Sequence, residues 1–220
     1  MASNGLDSKK QQFRQKISEW YSTQGRKFPW RSSSNPYSIL IAEMMLRRTT
    51  AVAVNRVYPT FMMRFKTPEQ LARARLPTIE SVVTSLGLQK TRSQHLKAMA
   101  TVLVKEYDGN IPTSLDELAI LPGVGLYVAS AVLNFAYFTP VPLVDGNVLH
   151  LVSRIFGIDF YGPTDERAWE FMNSFHCDSD CRSFYWGVID LVALLCLRRS
   201  PKCSDCPLTG ICIWYVINRS

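Results

Sequence analysis

A chain of 220 residues, 47% apolar and 20% charged, can bury a full core as one large domain or two small ones, which excludes wholesale disorder. Its 25 Lys and Arg against 18 Asp and Glu leave a net charge of +7, which fits a polyanionic partner and equally fits a solvated basic surface. No apolar run reaches the ~20 residues of a membrane helix, and the opening MASNGLDSKKQQ lacks the apolar stretch of a secretory leader, so the chain reads as soluble and cytoplasmic.

Helical signals follow one another along the chain. Phe13, Ile17, Trp20 and Tyr21 fall at i, i+4, i+7 and i+8. Asn35-Pro36 supplies a cap and a first-turn Pro for a helix through IAEMML. Thr67-Pro68-Glu69-Gln70 and Ser114 to Glu117 both carry capping-box logic. Ile79, Val82, Val83 and Leu86 run to a stop at Gly87, and Thr91 to Tyr107 carries Leu96, Met99, Leu103 and Val104 on one side. Further helices are expected from about Leu126, Gly146, Asp165 and Arg182. No alternating strand pairs appear, so the predicted class is all-α.

Six cysteines in an intracellular chain argue for metal more than for disulfides. Cys196, Cys203, Cys206 and Cys212 form C-x6-C-x2-C-x5-C, four thiols able to surround one centre. Structural zinc usually has two CxxC pairs and here only one is present, so the spacing suits an iron–sulfur cluster, with zinc as the alternative. Cys177 and Cys181 stand apart and read as structural. Arg198, Arg199 and Lys202 lie between the first two ligands, as fixed cations for phosphates or as a plain solvated loop.

Leu-Pro-Gly-Val-Gly, Leu121 to Gly125, reads as a tight turn between two helices, its glycines free to take positive φ or to approach another backbone closely. SLGLQKTRSQHL, Ser85 to Leu96, echoes this pattern with basic residues after the turn. Asp145, between Pro142 and Gly146, reads as a helix cap.

Hairpin, capping Asp and cysteine cluster in this order resemble the helix-hairpin-helix DNA glycosylases, the superfamily of endonuclease III and adenine glycosylase, from about Phe28 to Cys212. FPWR, ILIAEMMLRRTT and LPGVGLYVA are most similar to the mismatch-specific thymine glycosylase branch. The resemblance implies two helical lobes: residues 30–139 as a six-helix barrel holding the hairpin, and 1–29 with 140–220 as the cluster domain. It further implies a 4Fe–4S cluster, a monovalent cation at the hairpin, and a monomer acting on double-stranded DNA with a mismatched or damaged base, nucleoid-associated in a prokaryote.

Residue by residue, the resemblance puts Gly123, Val124 and Gly125 on a DNA phosphate and makes Asp145 the catalytic carboxylate, which stabilises an oxocarbenium-like sugar and orients water. Glu43 matches an acid in the pocket of the adenine and mismatch branches; read by itself it is a solvated residue on a helix face. Tyr127 stands where strand-cutting members carry a Schiff-base Lys, and no Lys occurs between Lys105 and Lys202. A monofunctional enzyme is therefore expected, with Tyr127 shaping the pocket or merely packed. Arg47 and Arg48 match residues inserted toward the opposite strand, Leu88 a wedge in the base stack, and Lys90 and Arg92 phosphate contacts.

The expected reaction is release of a flipped thymine, or uracil, opposite guanine. One rival is an adenine glycosylase, disfavoured by Tyr127 in place of Ser and by a chain ending soon after Cys212. The other is a non-catalytic DNA-binding module, in which Asp145 and Glu43 would be dispensable.

Overall fold

A computed structural model describes residues 2–175 and 180–218, and among these every regular element is helical, with no strand. None of the described helices is long and apolar enough to cross a membrane. The chain divides into two compact units, Met1–Arg26 with Pro140–Ser220, and Lys27–Thr139.

The first helix, α1 (Ala2–Gln24), buries Phe13 and Ile17 completely, as its apolar stripe requires. In the Lys27–Thr139 unit, α2 (Pro36–Leu46) is buried from Tyr37 to Met45 and is therefore a core helix rather than an amphipathic one. Its start is fixed by Pro36 and by the Asn35 side chain, which accepts from Ser38 N at 2.9 Å. Next comes α3 (Ala51–Arg64), capped by Thr50, with Pro59 inside it. The short α4 (Pro68–Arg73) is capped by Thr67, while Gln70 Oε1 accepts from Lys66 N. Then α5 (Leu76–Val83) ends in a 3-10 turn and Gly87 at φ +75°, and α6 (Gln89–Glu106) begins behind Leu88 at φ +52°. In α7 (Leu115–Ala119) the Ser114 cap accepts from Glu117 N and donates to Glu117 Oε2, a closed capping arrangement. The unit closes with α8 (Leu126–Ala136), buried from Val128 onward and packed on α2, so two apolar helices form its centre.

The N-terminal boundary falls at Arg26/Lys27 instead of 29/30, for a local reason. Phe28 stacks on Trp30 with centroids 4.7 Å apart, and Trp30 sets its edge on Tyr58 of α3, so FPWR belongs with the barrel helices.

The other unit continues with α9 (Gly146–Phe156), α10 (Glu166–Asn173), α11 (Arg182–Leu194) and α12 (Ile213–Asn218). Phe13, Phe156, Phe175 and Phe184 form its aromatic core, with edge contacts of 5.6–5.8 Å from Phe13 to the other three. Close packing of α1 on α11 depends on Gly187, where a Cβ would lie 2.5 Å from Ile17 Cγ2. At the end of α1, Arg26 donates its backbone N, Nε and Nη2 to the fully buried carboxylate of Asp190.

Removing one partner of a buried pair leaves the other uncompensated. Arg26→Met is therefore expected to lose about 3–5 kcal/mol in urea unfolding. Arg26→Met with Asp190→Leu should recover most of that loss.

Candidate functional site

In the Lys27–Thr139 unit the hairpin links α7 to α8. Val124 N donates to Leu121 O at 2.9 Å, closing the turn, and Gly123 sits at φ +77°. A Cβ on Gly123 would meet His95 Cβ at 2.7 Å, so this glycine lets the hairpin rest on α6. Gly125 serves another purpose: it is exposed, and a Cβ there would meet nothing within 4 Å. It precedes the N-terminus of α8, which has no side-chain cap and no acid in its first turn. The open backbone and positive helix end suit an anion.

Glu43 is 4% exposed on α2, so the solvated reading of this residue is wrong: it is an acid inside an apolar helix. Tyr127 is half-buried in the first turn of α8. Leu88 is 55% exposed in a left-handed conformation, Arg48 is exposed at φ +56°, and Lys90 is exposed.

Two basic residues depart from expectation. Arg92 is buried and cannot offer its charge to a phosphate; Nη1 donates to Met44 O and Met45 O, both at 2.9 Å, and Nη2 to Arg47 O at 3.0 Å. It closes the C-terminus of α2, whose last carbonyls lack helical partners. Arg47 is exposed, but Nη1 donates to Gly123 O, tying it to the hairpin instead of extending it outward.

In the other unit Asp145 caps α9. Oδ1 accepts from Asn147 N and Val148 N, both at 2.8 Å, and Oδ2 from Asn147 Nδ2 at 3.3 Å. Burial pushes its carboxyl above the ordinary Asp range; the two backbone bonds, the Arg198 charge and the Asn147 side chain pull the other way.

Cys196 follows α11, Cys203 and Cys206 bracket a 3-10 turn, and Cys212 precedes α12. All four line one shared pocket. Four thiols around one pocket are an all-cysteine donor set, and such a set fits an iron–sulfur cluster. Burial pushes the Cys206 thiol up to about 11, and raises Cys196 and Cys212 as well, so ligation must drive off their protons. Cys177 lies outside the described residues, and Cys181 is buried and disulfide-bonded.

Sequence reasoning missed three residues here. Arg154, on the last turn of α9, donates to Cys196 Sγ at 3.3 Å and Leu197 O at 3.1 Å, with its guanidinium 4.3 Å over the Trp214 ring. His150 Nε2 lies 2.9 Å from Cys196 O. The available signal was their i, i+4 spacing, which puts both on one face of α9.

Residues 41–174 match the model of the HhH-GPD superfamily of base excision DNA repair proteins, and 196–212 that of the iron–sulfur binding domain of endonuclease III. The chain belongs to the HhH-GPD superfamily. This HhH-GPD chain is 38% identical to a thymine-DNA glycosylase of Aeropyrum pernix, covering 92% of this chain and 93% of that protein. It is 37% identical to a thymine/uracil-DNA glycosylase of Pyrobaculum aerophilum, covering 96% and 94%. The solved structure of a thermostable thymine-DNA glycosylase superposes with TM-score 0.92 at 32% identity, covering 99% of this chain and all of that one.

The two hairpin glycines should behave differently on substitution. Gly123→Ala is expected to cost about 1–3 kcal/mol in thermal unfolding, from the His95 contact and the positive φ. Gly125→Ala should stay within about 0.5 kcal/mol of the parent yet bind duplex DNA roughly tenfold more weakly by fluorescence anisotropy. Arg92→Met should lose about 2–4 kcal/mol by leaving carbonyls unpaired, with the salt dependence of DNA binding unchanged.

Proposed function

We propose that this glycosylase releases thymine, and uracil, opposite guanine by a monofunctional route that leaves an abasic site. The carrying observation is its likeness, over nearly its full length, to thymine and thymine/uracil glycosylases. The hairpin holds a phosphate through the backbone around Gly123–Gly125, with a monovalent cation bound there. Exposed Leu88, with its left-handed backbone, supplies the wedge for the base stack, and Arg48 and Lys90 supply positive charge.

Asp145 must be ionised to act. Its carboxylate then stabilises positive charge developing at C1′ as the bond to the base breaks and the electron pair leaves with the base. Water adds to C1′ and gives up a proton, which balances the negative charge of the departed base and completes hydrolysis. Glu43 contacts the flipped base or holds water. Tyr127 offers no amine, so no imine forms with the sugar and the strand stays uncut. Cys196, Cys203, Cys206 and Cys212 hold a 4Fe–4S cluster whose contribution is structural. The enzyme works as a cytoplasmic monomer on double-stranded DNA.

Single-turnover incubation with end-labelled T·G, U·G, T·A and A opposite oxidised guanine, with and without alkali, tests the reading. Breaks at T·G and U·G only after alkali are expected. Adenine release would overturn the base assignment, and breaks without alkali the monofunctional route. Asp145→Asn keeps a capping side chain and should retain DNA binding while losing roughly 10²-fold or more in base release.

A further inference from the structure

Arg198 was expected either as a phosphate contact or on a solvated loop; it is exposed, and its guanidinium is bonded to the start of α9. Nη2 donates to Gly146 O at 2.9 Å, one residue from Asp145. Its backbone is held as well, because Arg154 Nη2, near the other end of α9, donates to Arg198 O at 3.2 Å. The loop after Cys196 is therefore fastened to both ends of one helix.

A cation at a helix N-terminus opposes the helix dipole. What offsets this at α9 is the Asp145 carboxylate, which the same dipole favours. We infer that Arg198 is a positioning residue for the reaction, set by its bond to Gly146 to hold a positive charge beside Asp145 and keep that carboxylate ionised in a half-buried site. The inference rests on the role given to Asp145 above.

The surrounding charges leave this task to Arg198. On α9 itself, His150 and Arg154 are directed to Cys196 and the cysteine loop. On α11, Arg182 pairs with Asp180, and Asp190 with Arg26. On α12 no residue is charged, and on α1 Lys9 is taken up at the far end of α9, where it donates to Ile155 O at 2.7 Å. Burial raises the Asp145 carboxyl; the Val148 and Asn147 backbone bonds lower it, and the Arg198 charge and the Asn147 side chain add to them.

With Arg198 neutralised, burial acts with less opposition, Asp145 protonates at higher pH, and the acid limb of base release moves up. An opposite charge nearby lowers a carboxyl, and solvent around an exposed Arg weakens that effect. Added salt should shrink the difference further.

The experiment is base release from T·G duplex across pH 4–8, under single-turnover conditions with saturating holoenzyme so that affinity drops out. Arg198→Gln, Arg198→Lys, Arg199→Gln and Asp145→Asn are compared with the parent. The Arg198→Gln limb should rise by about half a pH unit or more. Arg198→Lys, which keeps the charge, and Arg199→Gln, which removes an exposed charge from the same loop, should follow the parent. An Arg198→Gln limb coinciding with the parent, or one matched by Arg199→Gln, overturns the inference while Asp145→Asn remains inactive. Full base release by Asp145→Asn would instead overturn the catalytic role of Asp145, and this inference with it.

Discussion

Helix α9 is the constraint on which the cysteine-bearing unit depends. Asp145 accepts two backbone N–H bonds at its N-terminus, and Arg154 grips the cysteine loop from its last turn. The first interaction fixes where the carboxylate points; the second fixes where Cys196 and its neighbours lie. Because a helix is stiff over eleven residues, the two placements are one geometric fact. Ordering the thiols therefore also orders the helix that carries Asp145.

The cap illustrates why a structural and a functional reading of one residue need not compete. A side chain that satisfies the first turn of a helix is locked in its rotamer, and a locked carboxylate is what the proposed charge stabilisation at a sugar requires. Desolvation works against ionisation at that place, so the site is balanced by nearby donors and charge instead of being left open to water. Glu43 shows a related economy, since its acid lies within a helix whose other faces build the core of its unit.

Much of this was legible in the sequence where local chemistry decides the outcome. Asn35, Thr67, Ser114, Asp145 and Asp165 all accept at helix starts, as their types and spacing predict. Helix α3 was not legible: AVAVNRVYPTFMMR has β-branched residues and an internal Pro, and tertiary packing overrides that propensity. Nor was Arg92, because an Arg after a basic turn looks the same whether it faces phosphate or closes a neighbouring helix. Its partners at Met44, Met45 and Arg47 are distant in sequence, and only the packing of α2 brings them within reach. The fit of the four cysteines to a cluster was visible in their spacing; the Arg154 and Trp214 that brace them depended on the path of the chain.

Arg92 has a mechanical consequence too. Besides closing α2, it reaches Arg47 O and, through Nε at 3.4 Å, Gly87 O. The residues immediately following those carbonyls, Arg48 and Leu88, are both held in left-handed backbone, each at a cost of roughly 1–2 kcal/mol. One guanidinium thus joins two strained loops that lie far apart along the chain. Neither can relax toward an ordinary conformation without pulling on the other, so a load on the Leu88 side chain is shared with the turn that carries Arg48.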